Sequence, residues 1–234
     1  MNNQANYLSR SYHCVVTNPP YLGKGMSDTL KDYLNNVYPN SKSDTMATFM
    51  ERCLDFTANN GKSALINMRS WMFISSYKKL REHLVNSYRF NNLLHLGPHA
   101  FDEIGGEVVQ CVTFVISKEN PGIGTYFELT EGKCCSHKEE MFLASLEQPH
   151  NSNRFNSIRQ SAFLSIPDCT IAFWASENAI SSFDNILLGE IAKPRIGQNT
   201  GDNNRFLRIW NELSHEKIAF GLEHDQLTTA TYKW

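Results

Sequence analysis

Tyr12–Thr17 is a short, apolar, β-branched run that a Pro-Pro turn stops, which reads as a buried strand. Ser27 then stands as a helix N-cap ahead of a stripe made of Leu30, Tyr33, Leu34 and Val37. A second helical pattern runs from about residue 44 to 59, with Gly61 as its expected C-cap. Ser63–Met68 follows as a strand, and Tyr77–Tyr88 as a helix with Leu80 and Leu84 on its inner face. Phe90–Leu96 and Gln110–Ser117 are further strands, and Gly124–Leu129 is expected to pair with the second of them as a hairpin. The alternation predicts an α/β fold with a parallel sheet and an antiparallel end. The polar stretch 131–161 reads as an irregular connector outside the core. Residues 176–187 are helix-like, and a domain boundary is expected between roughly 175 and 192.

The chain of 234 residues is 41% hydrophobic and 20% charged, ordinary globular usage that argues against wholesale disorder. Its net charge of −2 excludes a polybasic non-specific nucleic-acid binder, so any DNA contact must use a local basic surface. Apolar runs are too short to span a bilayer, and the first residues lack a signal-peptide core. A cytoplasmic protein without membrane contact is expected. The six cysteines show no C-x-x-C pair and no zinc spacing, which predicts reduced thiols and no metal site. Cys14 and Cys111, both in apolar runs, are expected to act as small hydrophobes.

Asn18-Pro19-Pro20-Tyr21 directly follows the first strand. In open α/β sheets, ligands bind in the crevice at the carboxyl ends of strands. A tetrad of this form arises by chance in roughly 1% of chains this long. An exocyclic amine on a base or amide is a poor nucleophile, because its lone pair is delocalised. An Asn carbonyl and a backbone carbonyl that accept its two N–H groups push the nitrogen toward tetrahedral geometry. Two prolines fix φ and remove two backbone donors, which leaves the Pro19 carbonyl as a bare acceptor. Tyr21 offers a flat face for stacking on the ring, worth roughly 1–3 kcal/mol per base. A simple strand-ending turn accounts for the same residues without chemistry. Trp71, Phe73 and Phe101 are either pocket walls or core aromatics, and His13, His95 and His99 carry no assigned role.

Together with Leu22-Gly23-Lys24-Gly25-Met26 and Tyr38-Pro39-x-Ser41-Lys42-Ser43-Asp44, the tetrad resembles the TaqI-like amino-methyltransferase domain of type II DNA adenine methyltransferases. Within that group the chain is most similar to the PglX family of BREX phage-defence methyltransferases. Arg69-Ser70-Trp71-Met72-Phe73, Leu94-His95-Leu96-Gly97-Pro98, residues 100–110 and residues 200–210 carry the same resemblance, which covers nearly the whole chain. It implies a partial Rossmann-like methyltransferase fold: residues 1–188 as the catalytic-motif half of the domain, and 189–234 as the start of a target-recognition region. It implies methyl transfer from S-adenosylmethionine to adenine N6 in duplex DNA, with the target base flipped out of the stack. On this resemblance Asn18 and the Pro19 carbonyl bind the amine, Pro20 completes the bend, and Tyr21 stacks on adenine. Phe101 or Phe114 forms a second wall, and Arg195, Arg205 and Arg208 contact DNA or form a solvated basic turn.

One departure stands out. The Gly-rich loop that holds the cofactor in this family should precede the tetrad, yet only 17 residues do. The expectation is a fragment, inactive alone and poorly stable, associating with a polypeptide that supplies the missing half or with other defence-system subunits. A non-catalytic DNA-binding or assembly subunit is the alternative from another class. A protein-glutamine or RNA amino-methyltransferase is a third reading, and a nuclease is disfavoured for want of an acidic-lysine cluster.

Overall fold

The computed structural model describes residues 2–102, 109–148, 150–186 and 188–193, and positions 201–203, 207, 209, 212–214, 216 and 218. The chain divides into two units, 1–186 and 187–234. In the second, the described helix is Leu188–Ile191.

The first unit is a mixed α/β structure built on one six-stranded sheet. After helix α1 (Asn2–Leu8) come strand β1 (Tyr12–Thr17), α2 (Asp28–Val37), α3 (Thr45–Phe56), β2 (Thr57–Met68) and α4 (Lys78–Ser87). Then follow β3 (Arg89–Gly97), β4 (Cys111–Ser117), β5 (Ile123–Glu128), α5 (Cys135–Glu147) and β6 (Arg154–Arg159). The spatial order is β1-β2-β4-β3-β5-β6. β1 and β2 are parallel, β4 runs against both β2 and β3, and β5 is parallel to β3. The carboxyl ends of β1, β2 and β3 therefore point the same way.

One face of the sheet carries the core. Alternate residues Leu65, Phe114, Leu93 and Tyr126 bury there under Met46, Met50 and Leu54 of α3, and Leu80 and Leu84 of α4. Trp71 completes it, stacked on Phe90 at 6.1 Å and edge-on to Phe114 at 5.2 Å. On the opposite face α5 packs over β5, with Phe142 edge-on to Phe127 at 5.0 Å.

Several expectations are corrected. Among the described residues β1 pairs with β2 alone, at the edge of the sheet, and it is not a buried strand: Val16 is 71% exposed and Cys14 is exposed, side chains on a face that nothing there covers. Cys111, by contrast, is buried, and all six cysteines are free. Gly61 caps no helix. The Thr57 hydroxyl donates to the Cys53 carbonyl at 2.6 Å, and β2 starts there without a loop. Gly61 lies inside β2, where a Cβ would meet the Tyr12 and His13 carbonyls at 2.8 and 2.9 Å. β5 forms no hairpin with β4. Both edges of β4 are taken by β2 and β3, so β5 adds to the free edge of β3. The stretch 131–161 is not an irregular connector. It contains α5 and β6, which the pattern conceals because Met141, Phe142, Leu143 and Ala144 run consecutively instead of at helical spacing. Beyond it, Ser176 caps the short helix α6 (Glu177–Ser181) through its hydroxyl.

Candidate amine-binding site

The diproline bend leaves β1 at the carboxyl end of the sheet and is fastened to the start of α3. The Thr45 hydroxyl donates to the Pro20 carbonyl at 2.7 Å. The Leu22 amide donates to Thr45 Oγ1 at 3.0 Å and Asp44 Oδ1 at 3.2 Å, and the Thr45 amide returns a bond to the Leu22 carbonyl at 3.2 Å. Asp44 meanwhile caps α3 by accepting from the Met46 amide at 2.8 Å. Gly23 lets the chain pass this cap, since a Cβ there would sit 3.0 Å from the Asp44 carboxylate. Asp44 and Thr45 thus hold the bend. Their sequence signal was only that of a helix cap, which gives no hint of what else the cap grips.

Within the bend Pro19 is buried while Asn18 and Pro20 are exposed. Among the described residues no donor reaches the Pro19 carbonyl, whereas the Pro20 carbonyl is occupied. The Tyr21 hydroxyl donates to Asn18 Oδ1 at 3.3 Å and lies 3.4 Å from the Ile66 carbonyl. Tyr21 remains 39% exposed. Burial of its hydroxyl, then Cys111 and Asp44, push the phenol above its ordinary pKa, so it is a neutral donor at pH 7. The arrangement presents an exposed amide oxygen, a bare backbone carbonyl and an aromatic ring within four residues. Such a set can accept both N–H groups of a planar amine and cover its ring.

The other expected site residues are distributed differently. Phe101 lies beyond β3 and is 39% exposed. Phe114 is 1% exposed and packed between Trp71 and Phe90, so it is core and not an open wall. Trp71 is likewise buried. Arg195, Arg205 and Arg208 lie outside the described residues. His95, which carried no assignment, is buried and paired through Nδ1 with Glu128 Oε2 at 2.9 Å. Among the described residues no group of three or more His, Cys, Asp or Glu side chains is placed to hold a metal.

S-adenosylmethionine would need a glycine-rich turn between a buried strand and a helix N-terminus. The described residues supply none: Gly23 and Gly25 belong to the bend, and Gly97, with φ +67°, faces the Thr130 side chain. They do not fit that cofactor by themselves.

Residues 2–101 match the family model of the Eco57I restriction-modification methylase. The chain is 42% identical over 218 residues to the adenine-specific methyltransferase PglX of Lacticaseibacillus casei, covering 91% of this chain and 18% of that protein. It is 39% identical over 235 residues to the adenine-specific methyltransferase BrxX of Escherichia coli, covering 99% of this chain and again 18% of the relative. The chain therefore spans less than a fifth of the length of either relative. The methyltransferase subunit of a type I restriction-modification system from Streptococcus thermophilus superposes with a TM-score of 0.53 at 12% identity, over 70% of this chain and 38% of that one. That likeness is one of fold. The resemblance carried by the motifs thus extends over nearly the whole chain.

Proposed function

We propose that this chain, a relative of the restriction-modification adenine methyltransferases, supplies the amine-binding part of a site that methylates adenine N6 in duplex DNA as part of phage defence. The observation that carries this reading is the bend after β1, where Asn18 Oδ1 and the bare Pro19 carbonyl stand beside an exposed Tyr21 ring. An adenine amine seated there donates one N–H to Asn18 and the other to Pro19. Tyr21 stacks on the purine, which has left the helix because its amine is unreachable inside the stack. Thr45 and Asp44 keep the two acceptors in register by holding the bend to α3. S-adenosylmethionine supplies the methyl group in such chemistry, and its cradle belongs to protein beyond the described residues. The partners on this reading are duplex DNA and the polypeptide that carries that cradle.

The test is made at the native locus. Asn18→Ala is expected to erase an N6-methyladenine motif from the host's DNA, read by modification-sensitive long-read sequencing. A motif that survives the substitution, or a parent strain with no such motif, refutes the reading.

A further inference from the structure

We propose that Arg69 is a phosphodiester contact for the DNA strand, held in place by the His95–Glu128 pair; this deepens the reading of the amine-binding site above. Arg69 is the first residue past the carboxyl end of β2, the strand beside the one that ends in the diproline bend. Its amide donates to the Gln110 carbonyl at 2.8 Å, which fixes the backbone at the rim of the crevice. Its side chain is half-buried.

Two groups touch the guanidinium, and two more steady one of them. Nη1 lies 3.5 Å from His95 Nε2. Glu128, on the far side of the imidazole, pairs with Nδ1 at 2.9 Å, which in the neutral ring leaves Nε2 facing Arg69 as an acceptor. The Arg69 Cζ is 5.8 Å from the Phe73 ring centroid, within cation–π range. The Trp174 indole stacks on His95 at 5.5 Å and 17°, which closes that side of the imidazole. Trp174 is itself 41% exposed, so an aromatic surface adjoins the cation.

What Arg69 lacks, among the described residues, is an anion. Among the described residues no carboxylate lies within 4.0 Å of it. Arg52 and Arg89 each have one, at 3.7 and 3.0 Å, and Arg81 is surrounded by backbone carbonyls. A half-buried cation with a positioned fork and no counter-charge is costly unless an anion completes it. Phosphate is the anion met by a protein that draws a nucleotide to the neighbouring strand end, and arginine binds it bidentately.

The full chain is titrated with a short fluorescent duplex of mixed sequence, by anisotropy, from about 50 to 200 mM salt. Arg69→Gln is expected to weaken binding several-fold and to reduce the slope of log K against log salt by about 0.9, the loss of one phosphate contact. Arg69→Lys keeps the charge and is expected to keep the slope. His95→Ala is expected to weaken binding in the parent background and to add nothing to Arg69→Gln, as for a residue that acts through Arg69. An unchanged slope in Arg69→Gln overturns the proposal, as does a parent chain that binds no duplex. The two readings fail separately: methylation that survives Asn18→Ala sinks the amine site, while a slope that ignores Arg69 sinks only the phosphate contact.

Discussion

Arg81 is fully buried on α4 with its guanidinium spent on main-chain carbonyls. Nη1 donates to the Trp71 and Ile74 carbonyls at 2.7 and 2.8 Å, Nη2 to Asp168 at 2.8 Å, and Nε to Asp168 and Cys169 at 3.1 Å each. It ties the segment leaving β2 to a turn in which Asp168 and Cys169 hold φ of 58° and 54°. Arg81→Met keeps much of the volume and removes every bond. The carbonyls of Ile74 and Asp168 belong to half-exposed residues and can find water; those of Trp71 and Cys169 sit among buried residues and cannot. Two stranded acceptors at about 1–3 kcal/mol each give roughly 2–6 kcal/mol. Relief from burying a cation, whose pKa burial already lowers, offsets part of that. A net loss of about 3 kcal/mol is expected, or about 6–12 °C in Tm for a unit of this size. Arg81→Lys, whose single ammonium reaches fewer of the four carbonyls, should fall between Met and the parent. The assay is thermal and urea unfolding followed by circular dichroism. A methionine variant as stable as the parent would show that desolvation outweighs the bonds, and the reasoning would fail.

The remaining predictions concern the site and its supports. Calorimetry of the isolated chain with S-adenosylmethionine should show no binding heat; a saturable isotherm would place a cofactor cradle within these residues after all. Tyr21→Phe at the native locus should retain most methylation and Tyr21→Ala should lose it, measured as the methylated fraction of sites, because the ring stacks while the hydroxyl only steadies Asn18. Burial alone would raise the Glu128 pKa, yet hydrogen bonds from His95 and Thr130 and the charge of His95 hold it below the ordinary 4.5. A depressed carboxyl stabilises the fold above its unfolded pKa, and that stability is lost as pH falls below about 4.5 through the folded value. Glu128→Gln should flatten this acid limb of the urea-unfolding profile and leave a parent-like slope above it. Gly61→Ala forces a Cβ to within 2.8 Å of the Tyr12 carbonyl and should cost roughly 1–3 kcal/mol in the same unfolding assay.

Local features were legible wherever the physics is local. The β1 run, the proline pair that ends it, and the caps Ser27 and Asp44 all lie within a few residues of what they determine. The diproline tetrad could therefore be singled out without coordinates: fixed φ and missing donors are covalent properties of proline. Exposure of β1 and the placement of β5 could not be found in the same way. An apolar alternation says that a strand exists, but its neighbours depend on which edges other strands have already filled, and β4 had none left. The phosphate-contact candidate shows the same division. Arg69, His95 and Glu128 stand 26 and 33 residues apart in succession, and nothing in their spacing links them. Register does: the antiparallel β3–β4 and parallel β3–β5 ladders set His95 opposite both Val112 and Glu128, at the sheet end where β2 hands over to Arg69. Side-chain identity supplied the chemistry, and strand pairing alone decided which of those groups would meet.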